Sequence, residues 1–160
     1  MLRLSITTDI TEKINLSDNY LYSTFCKNKL NEFKTFLLEN TNYTKLQIRY
    51  DYLIDNNLIE FHIKDNIPSI QYITTYIINS FKMYKSTTMY GYIDISFNIP
   101  DYILLPNSNM SITHFIRYIE YGNEDIPPYK WISRAWNKFK QSIKQDWEDC
   151  VEFSKKIGGK

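Results

Sequence analysis

The stretch Thr113-His-Phe-Ile-Arg-Tyr-Ile-Glu-Tyr-Gly122, followed by Pro127-Pro-Tyr-Lys-Trp-Ile-Ser-Arg-Ala-Trp136, is the most distinctive part of this chain. Its first part carries apolar residues at helical spacing and ends at a glycine, which can take the left-handed conformation that stops a helix. Two prolines then stiffen the approach to a second helix, because proline is tolerated in a first helical turn. The stretch therefore predicts two helices joined by a short, sharply turned connection.

In the segments on either side of this stretch, apolar residues recur at regular spacings. Upstream, four apolar residues from Ile93 to Ile99 alternate with polar ones and predict a strand that ends at Pro100. Residues 102–105 are expected to continue as an extended edge, and residues 107–109 as a loop. Downstream, a long amphipathic helix is predicted to start near Pro128, with apolar residues at spacings of three and four: Ile132, Trp136, Phe139, Ile143, Trp147 and Cys150.

The N-terminal half predicts elements of both kinds. Alternation from Leu2 to Ile6 indicates a short strand, and Ser17 is a candidate N-cap for an amphipathic helix that reaches about Asn40. Residues 45–63 also alternate, around the turn-forming residues 55–57, and predict a β-hairpin.

A second helix is expected from Asn66 and Pro68 onward. Its predicted apolar face consists of Ile70, Ile73, Ile77, Phe81 and Tyr84. Together the elements predict an α+β fold, in which an antiparallel sheet is packed by helices and a long C-terminal amphipathic helix.

Composition limits the class of protein. The chain has 160 residues and a formal net charge of +1, so it suits one domain over residues 1–160 and has no strong overall field. Cys26 and Cys150 lack metal-type spacing and are expected as two buried thiols that behave as small apolar residues, with a disulfide possible only if their helices meet. Neither a secretory signal nor a membrane span is expected, which indicates a cytoplasmic site of synthesis and no membrane partner.

No set of residues has the spacing of a known catalytic or metal-binding motif. We therefore expect no catalytic residues, no metal and no cofactor, and we do not expect the chain to be an enzyme. His62 and His114 lack further ligands at metal-binding spacing. The carboxylates of Glu124, Asp125 and the last helix lie among polar neighbours, which favours solvated charge over acid–base chemistry. The glycines form no phosphate-binding pattern.

One side of the last helix is basic. Lys130, Arg134 and Lys138 follow each other at one-turn spacing opposite the apolar face, with Gln141 and Gln145 beyond them. Such a row could contact phosphates, including those of DNA that passes through a channel. An ordinary solvated helix face is the simpler interpretation of the same residues.

The segment from Phe115 to Phe139 resembles the tail-completion proteins, also called head–tail connector or neck proteins, of tailed double-stranded-DNA bacteriophages. The resemblance rests on a short helix that ends in Glu-Tyr-Gly, a loop, prolines, an aromatic residue and an Arg-Ala step that opens the C-terminal helix. The residues that carry it here are Glu120, Tyr121, Gly122, Pro127, Pro128, Trp131, Arg134, Ala135 and Trp136. The order of helices and strands is similar too, except for the long Tyr-rich segment of residues 45–63.

The resemblance implies a virion structural protein that forms a homo-oligomeric ring at the head–tail junction. Such a ring would join the portal or adaptor complex to the tail proteins and surround packaged DNA without reading its sequence. Trp131 and Trp136 would anchor either the core or a subunit boundary. The alternative is a small phage or plasmid nucleic-acid-binding or regulatory protein that uses the basic C-terminal helix, and a third is an enzyme with an unrecognised site.

Overall fold

The computed structural model describes residues 2–9, 18–89 and 92–158. In chain order the elements are β1 (Leu2–Asp9), α1 (Asp18–Glu39), α2 (Tyr43–Asp55), α3 (Ile70–Asn79), β2 (Lys82–Met89), β3 (Tyr92–Ile99), α4 (Ile112–Tyr121), α5 (Trp131–Phe139) and α6 (Ile143–Gly158). A 3-10 turn, Lys140–Ser142, connects α5 to α6. The predicted α+β fold with a long C-terminal helical segment is confirmed, in one compact domain.

Among the described residues, the sheet has three antiparallel strands in the order β1-β3-β2. One face is apolar because the alternating residues of β3 are fully buried and Leu4 of β1 lies opposite Phe97. The other face carries polar residues such as Arg3 and Ser5, both exposed. The predicted strands Leu2–Ile6 and Ile93–Ile99 are thus confirmed, each with one apolar face.

Helix α1 covers the apolar face of the sheet. Phe33 is fully buried, and its ring centroid lies 5.4 Å from that of Trp136 and 5.6 Å from that of Phe81. Both pairs meet edge to face, a geometry that aromatic rings prefer. The ring of Phe33 also stacks on that of Phe97 in β3 with centroids 6.0 Å apart, so this cluster joins α1, the sheet and α5 into one core. The helix predicted up to about Asn40 is confirmed, while its proposed cap Ser17 lies outside the described residues.

The hairpin predicted for residues 45–63 is wrong, because this segment begins with helix α2. The buried residues of α2 fall at helical spacing: Leu46, Arg49, Tyr50 and Leu53. Ile48, placed by the alternating pattern on the same face as Leu46, is 56% exposed. Asn42 caps the helix by accepting a hydrogen bond from Lys45 N at 3.1 Å. The residues beyond Asp55 form turns, with one isolated bridge from Phe61 to Ser108.

The second predicted helix was placed too early and extended too far. It begins after Ser69, whose hydroxyl caps Tyr72 N, and ends at Asn79. Two residues assigned to its apolar face lie outside it: Phe81 follows the helix, and Tyr84 lies in β2, a strand that the sequence pattern did not predict. Residues 102–105 likewise form no strand, only an isolated bridge from Leu104 to Ser111. Apolar residues at helical spacings of three and four continue past Asn79 by coincidence, so the spacing alone misplaced the end of the helix.

Helices α1 and α6 are held together by apolar and charged contacts. Trp147 packs edge-on against Tyr22 and Phe25, with ring centroids 5.2 and 5.1 Å apart. Lys29 Nζ lies 2.7 Å from Asp146 Oδ2. Burial alone would lower the pKa of Lys29, but its hydrogen bonds to Asp146 and Glu32 raise it above the ordinary value.

The cysteines of α1 and α6 are both free, although the two helices meet. Burial raises the pKa of the Cys26 thiol to about 12, and a hydrogen bond with Tyr22 offsets part of this increase. Because only the thiolate is a good nucleophile, Cys26 is an inert core residue at neutral pH.

Candidate functional site

In the connection between α4 and α5, residues 122–130, the backbone of residues 126–128 packs closely against Gly122. Gly122 has φ +64, and a Cβ at this position would lie 2.4 Å from Ile126 O and 2.8 Å from Pro128 N. Asn123 Oδ1 accepts hydrogen bonds from the backbone N–H groups of Asp125 and Ile126. Glycine is required here both for its backbone conformation and for the space it leaves.

Glu120 fixes the start of α5. Its Oε1 accepts hydrogen bonds from Ile132 N at 2.6 Å and Ser133 N at 3.0 Å, and its Oε2 accepts one from Ser133 Oγ at 2.7 Å. Lys130, at the N-cap position, supplies no side-chain cap of its own. The carboxylate therefore satisfies two of the helix's free N–H groups and lies at the positive end of its dipole.

Helix α2 forms hydrogen bonds to the same connection from the other side. Arg49, only 8% exposed, donates from one nitrogen to Lys45 O and from another to Pro127 O, each at 2.9 Å. Tyr52 OH donates to Asp125 Oδ2 at 3.0 Å. Within the described ranges Arg49 has no carboxylate partner, so a buried positive charge remains next to the connection.

The two tryptophans of α5 are core residues of the single chain. Trp131 is 2% exposed and donates from Nε1 to Thr41 Oγ1 at 2.8 Å, and Trp136 is 5% exposed. Their rings are therefore not available to a neighbouring subunit. Of the other residues that carried the resemblance, Tyr121, Pro127, Pro128 and Arg134 are exposed.

A groove with basic walls lies between α2 and α5. Its volume is about 170 Å³, and it is lined by Asn40, Asn42, Lys45, Tyr129, Trp131, Arg134, Ala135 and Lys138. The structure thus brings two of the three predicted basic residues, Arg134 and Lys138, next to Lys45 of another helix. Lys130 is exposed at the start of α5 but does not line the groove. Gln141 and Gln145 are exposed beyond Lys138, and Gln145 donates to Asp149.

Sequence reasoning missed Lys45, Asn42 and Tyr129 as groove residues. Lys45 was assigned to a hairpin, although the helical spacing of Leu46, Tyr50 and Leu53 and the preceding Asn42 were signals for a helix. Nothing local in the sequence indicates that Lys45 and Arg134 line one groove, because the two residues are far apart in the chain.

The two histidines line another surface depression, of about 300 Å³, together with Glu60 and Ser108. His114 stacks on Tyr118, with ring centroids 5.1 Å apart. Throughout the described part of the chain, no group of three or more His, Cys, Asp and Glu side chains is placed to hold a metal ion. A smaller cavity of about 10 Å³ beside Arg49 has room for no more than one water molecule.

Comparison with known proteins gives no relative for this chain. No protein-family model, no curated protein and no solved structure matches it. None of the helices within residues 18–89 and 92–158 is sufficiently long and apolar to cross a membrane.

Proposed function

We propose that this protein is a structural subunit of a tailed bacteriophage, which assembles with copies of itself into a ring at the head–tail junction. It would join the portal or adaptor complex to the tail and surround the packaged DNA. The observation that carries the proposal is the sheet, since β1 and β2 form its two outer edges and each is eight residues long.

An outer strand presents unpaired backbone N–H and C=O groups, which can pair with another chain. Charged residues and bulges usually protect such edges, and here they lie toward the ends of the strands: Arg3 and Asp9 in β1, and Lys82, Lys85 and a register shift next to Lys85 in β2. Each edge nevertheless keeps one uncharged stretch, residues 5–8 of β1 and residues 86–89 of β2. These stretches lie on opposite sides of residues 92–96 of β3. Pairing of β1 in one copy with β2 in the next is a head-to-tail contact, which closes into a ring when the rotation between copies allows it.

The connection between α4 and α5 supports the same proposal. Glu120 and Gly122, two of the residues that carry the resemblance to neck proteins, build one rigid unit that fixes the direction of α5. A ring subunit needs such rigidity, because small changes in angle accumulate around the ring. Glu120 and Gly122 thus have a physical role in this chain that is compatible with the proposal.

The assembly is tested by measuring particle mass in solution. We expect the wild type to form a closed oligomer of more than two subunits. The double variant Ser5→Lys with Thr7→Lys, which places charge on exposed positions of the β1 edge, is expected to be monomeric with an unchanged circular dichroism spectrum. The matched control, Gln71→Lys with Thr75→Lys, adds the same charge to exposed positions of α3 and should assemble normally.

The placement in the particle is tested by immunogold labelling of virions from the producing lysate. Label confined to the head–tail junction supports the neck proposal even if the purified protein needs a partner as template. Label elsewhere on the particle, or protein found only free in the lysate, contradicts it.

A second candidate function is favoured by the basic groove. A small nucleic-acid-binding protein of a phage or plasmid would use Lys45, Arg134 and Lys138 as a monomer. Salt-dependent retention on DNA by a protein that stays monomeric and labels no particle would support this second function.

A further inference from the structure

We propose that the groove between α2 and α5 binds the phosphate groups of a nucleic-acid backbone, independently of the base sequence. The inference rests on the second candidate function, for which it names the ligand, and it does not depend on ring formation or on the neck assignment. It would hold for a subunit that surrounds DNA as well as for a monomer that binds it.

The charge of the groove is the first argument. Lys45, Arg134 and Lys138 all line it, and none of the other lining residues carries a carboxylate. Among the described residues none of these three cations has an acidic partner, whereas Lys29 and Lys156 elsewhere in the chain do. The buried guanidinium of Arg49 adds positive charge behind the groove, 5.5 Å from the ring centroid of Tyr129. Such a concentration of unpaired positive charge attracts anions.

The hydrogen-bonding groups of the groove are the second argument. Asn42 uses its side-chain oxygen to accept from Lys45 N, which leaves its amide NH₂ free to donate. Tyr129 accepts from Asn42 N at 3.0 Å, so its own O–H proton is free for a further acceptor. Within the described residues neither donor has a protein acceptor. The groove therefore offers donors and cations together, which is what a phosphate oxygen requires.

The arrangement of the cations favours a chain of phosphates over a single anion. Arg134 and Lys138 line the groove four residues apart, which corresponds to about 6 Å at the rise of an α-helix. Lys130, which lies outside the groove, continues this row toward the start of α5. Lys45 from α2 widens this row on one side. The space, about 170 Å³, greatly exceeds the ~10–15 Å³ that one water needs. An open row suits an extended polyanion, whereas one free phosphate would be better held by an enclosed pocket.

The experiment measures binding of a mixed-sequence DNA duplex by fluorescence anisotropy over a range of salt concentrations. The test variant is Lys45→Gln, Arg134→Gln and Lys138→Gln combined. The matched control, Lys27→Gln, Lys64→Gln and Arg117→Gln combined, removes the same charge from exposed residues outside the groove. Thermal unfolding of both variants checks that the fold is kept.

We expect the wild type and the control to bind the duplex with similar affinity and a steep salt dependence. The groove variant should bind at least tenfold more weakly at low salt. Its plot of log affinity against log salt should be shallower by about 2 to 3, since each lost phosphate contact removes ~0.9 from the slope on duplex DNA. A second duplex of unrelated sequence should give the same values.

Three outcomes would overturn the inference. The first is equal loss of binding in the groove and control variants, which means that only the total charge matters. The second is competition by polyglutamate as effective as by unlabelled DNA at the same charge concentration, which would assign the groove to an acidic protein. The third is binding of inorganic phosphate, followed by calorimetry at constant ionic strength, without any binding of DNA.

Discussion

Helix α5 has one side toward α4 and another toward α2, and the polar groups on these two sides differ in whether they have hydrogen-bond or charge partners within the protein. On the side of α4, Glu120 and the backbone occupy every N–H of the first turn: Trp131 N bonds to Tyr129 O, Ile132 N and Ser133 N to Glu120, and Arg134 N to Lys130 O. On the side of α2, the cations Arg134 and Lys138 face a groove with no carboxylate among its lining residues.

The difference separates residues that build the protein from residues available to a partner. A saturated buried site stabilises the fold and offers nothing to a ligand, because its donors and acceptors are already used. Unpaired cations cost little in water but gain energy when an anion arrives. Mutations on the first side should therefore change stability, and mutations on the second should change binding.

The largest expected effect on the saturated side follows from Gly122→Ala. The new Cβ would meet backbone atoms of residues 126–128, and φ +64 is unfavourable for alanine. We expect a loss of about 3 kcal/mol in the free energy of unfolding, measured by urea denaturation. Tyr121→Ala, at the neighbouring residue that is 74% exposed, serves as control and should stay within ~0.5 kcal/mol of the wild type. Equal stability of both variants would contradict this close packing.

A smaller loss is expected from Glu120→Ala. Two backbone N–H groups and the Ser133 hydroxyl lose their acceptor, which should cost about 2 kcal/mol in the same measurement. Glu120→Gln keeps one acceptor oxygen and should fall between the alanine variant and the wild type. Glu124→Ala, exposed in the same region, is the control, and a loss as large as that of Glu120→Ala would refute the capping role.

Lys29→Met tests a charge that is paired, in contrast to the unpaired cations of the groove. We expect a loss of about 1 kcal/mol at neutral pH, because the ion pair with Asp146 is partly screened by solvent while the methionine keeps the apolar contacts. Lys27→Met, exposed on the same helix, should change little.

The effect of Lys29 should depend on pH in one direction. Folding raises the pKa of Lys29, so its contribution is fully present below the ordinary value of 10.5 and is lost as the pH rises through the higher value of the folded state. The difference in unfolding free energy between wild type and Lys29→Met should thus shrink above pH 10.5. A difference that grows with pH would show that the ion pair is not its source.

The smallest effect on stability is expected from the groove. Neutralising Lys45, Arg134 and Lys138 together should leave the free energy of unfolding within about 1 kcal/mol of the wild type, with the cation–π contact of Lys45 over Tyr129 as the main loss. Unfolding by several kcal/mol would mean that these cations support the fold, and the contrast between the two sides of α5 would disappear.

Much of the fold could be predicted because several segments repeat their apolar residues with the spacing of only one kind of secondary structure. The strand of Ile93–Ile99 alternates without error, and α4 ends at a glycine whose positive φ the structure confirms. Residues 45–52 were harder, since Leu46 and Tyr50 fit both a strand and a helix. The side chains of Arg49 and Leu53, buried together with them, decide for the helix only once the packing is known.

The sequence predicted two of the three cations that line the groove. Arg134 and Lys138 were found because one helix carries both at one-turn spacing, which is a local property of the sequence. Lys45 and Tyr129 were not found, because their position in the groove depends on how α2 packs against the connection after α4.

The sequence by itself determined the local elements with a clean period, the stop at Gly122 and the basic row on the last helix, since each depends on residues within a few turns of one another. Only the tertiary structure decided that Glu120 caps α5, that both tryptophans belong to the core, and that Lys45 joins Arg134 and Lys138. These depend on contacts between residues 12 to 90 positions apart, which form only when the apolar faces of several helices pack together.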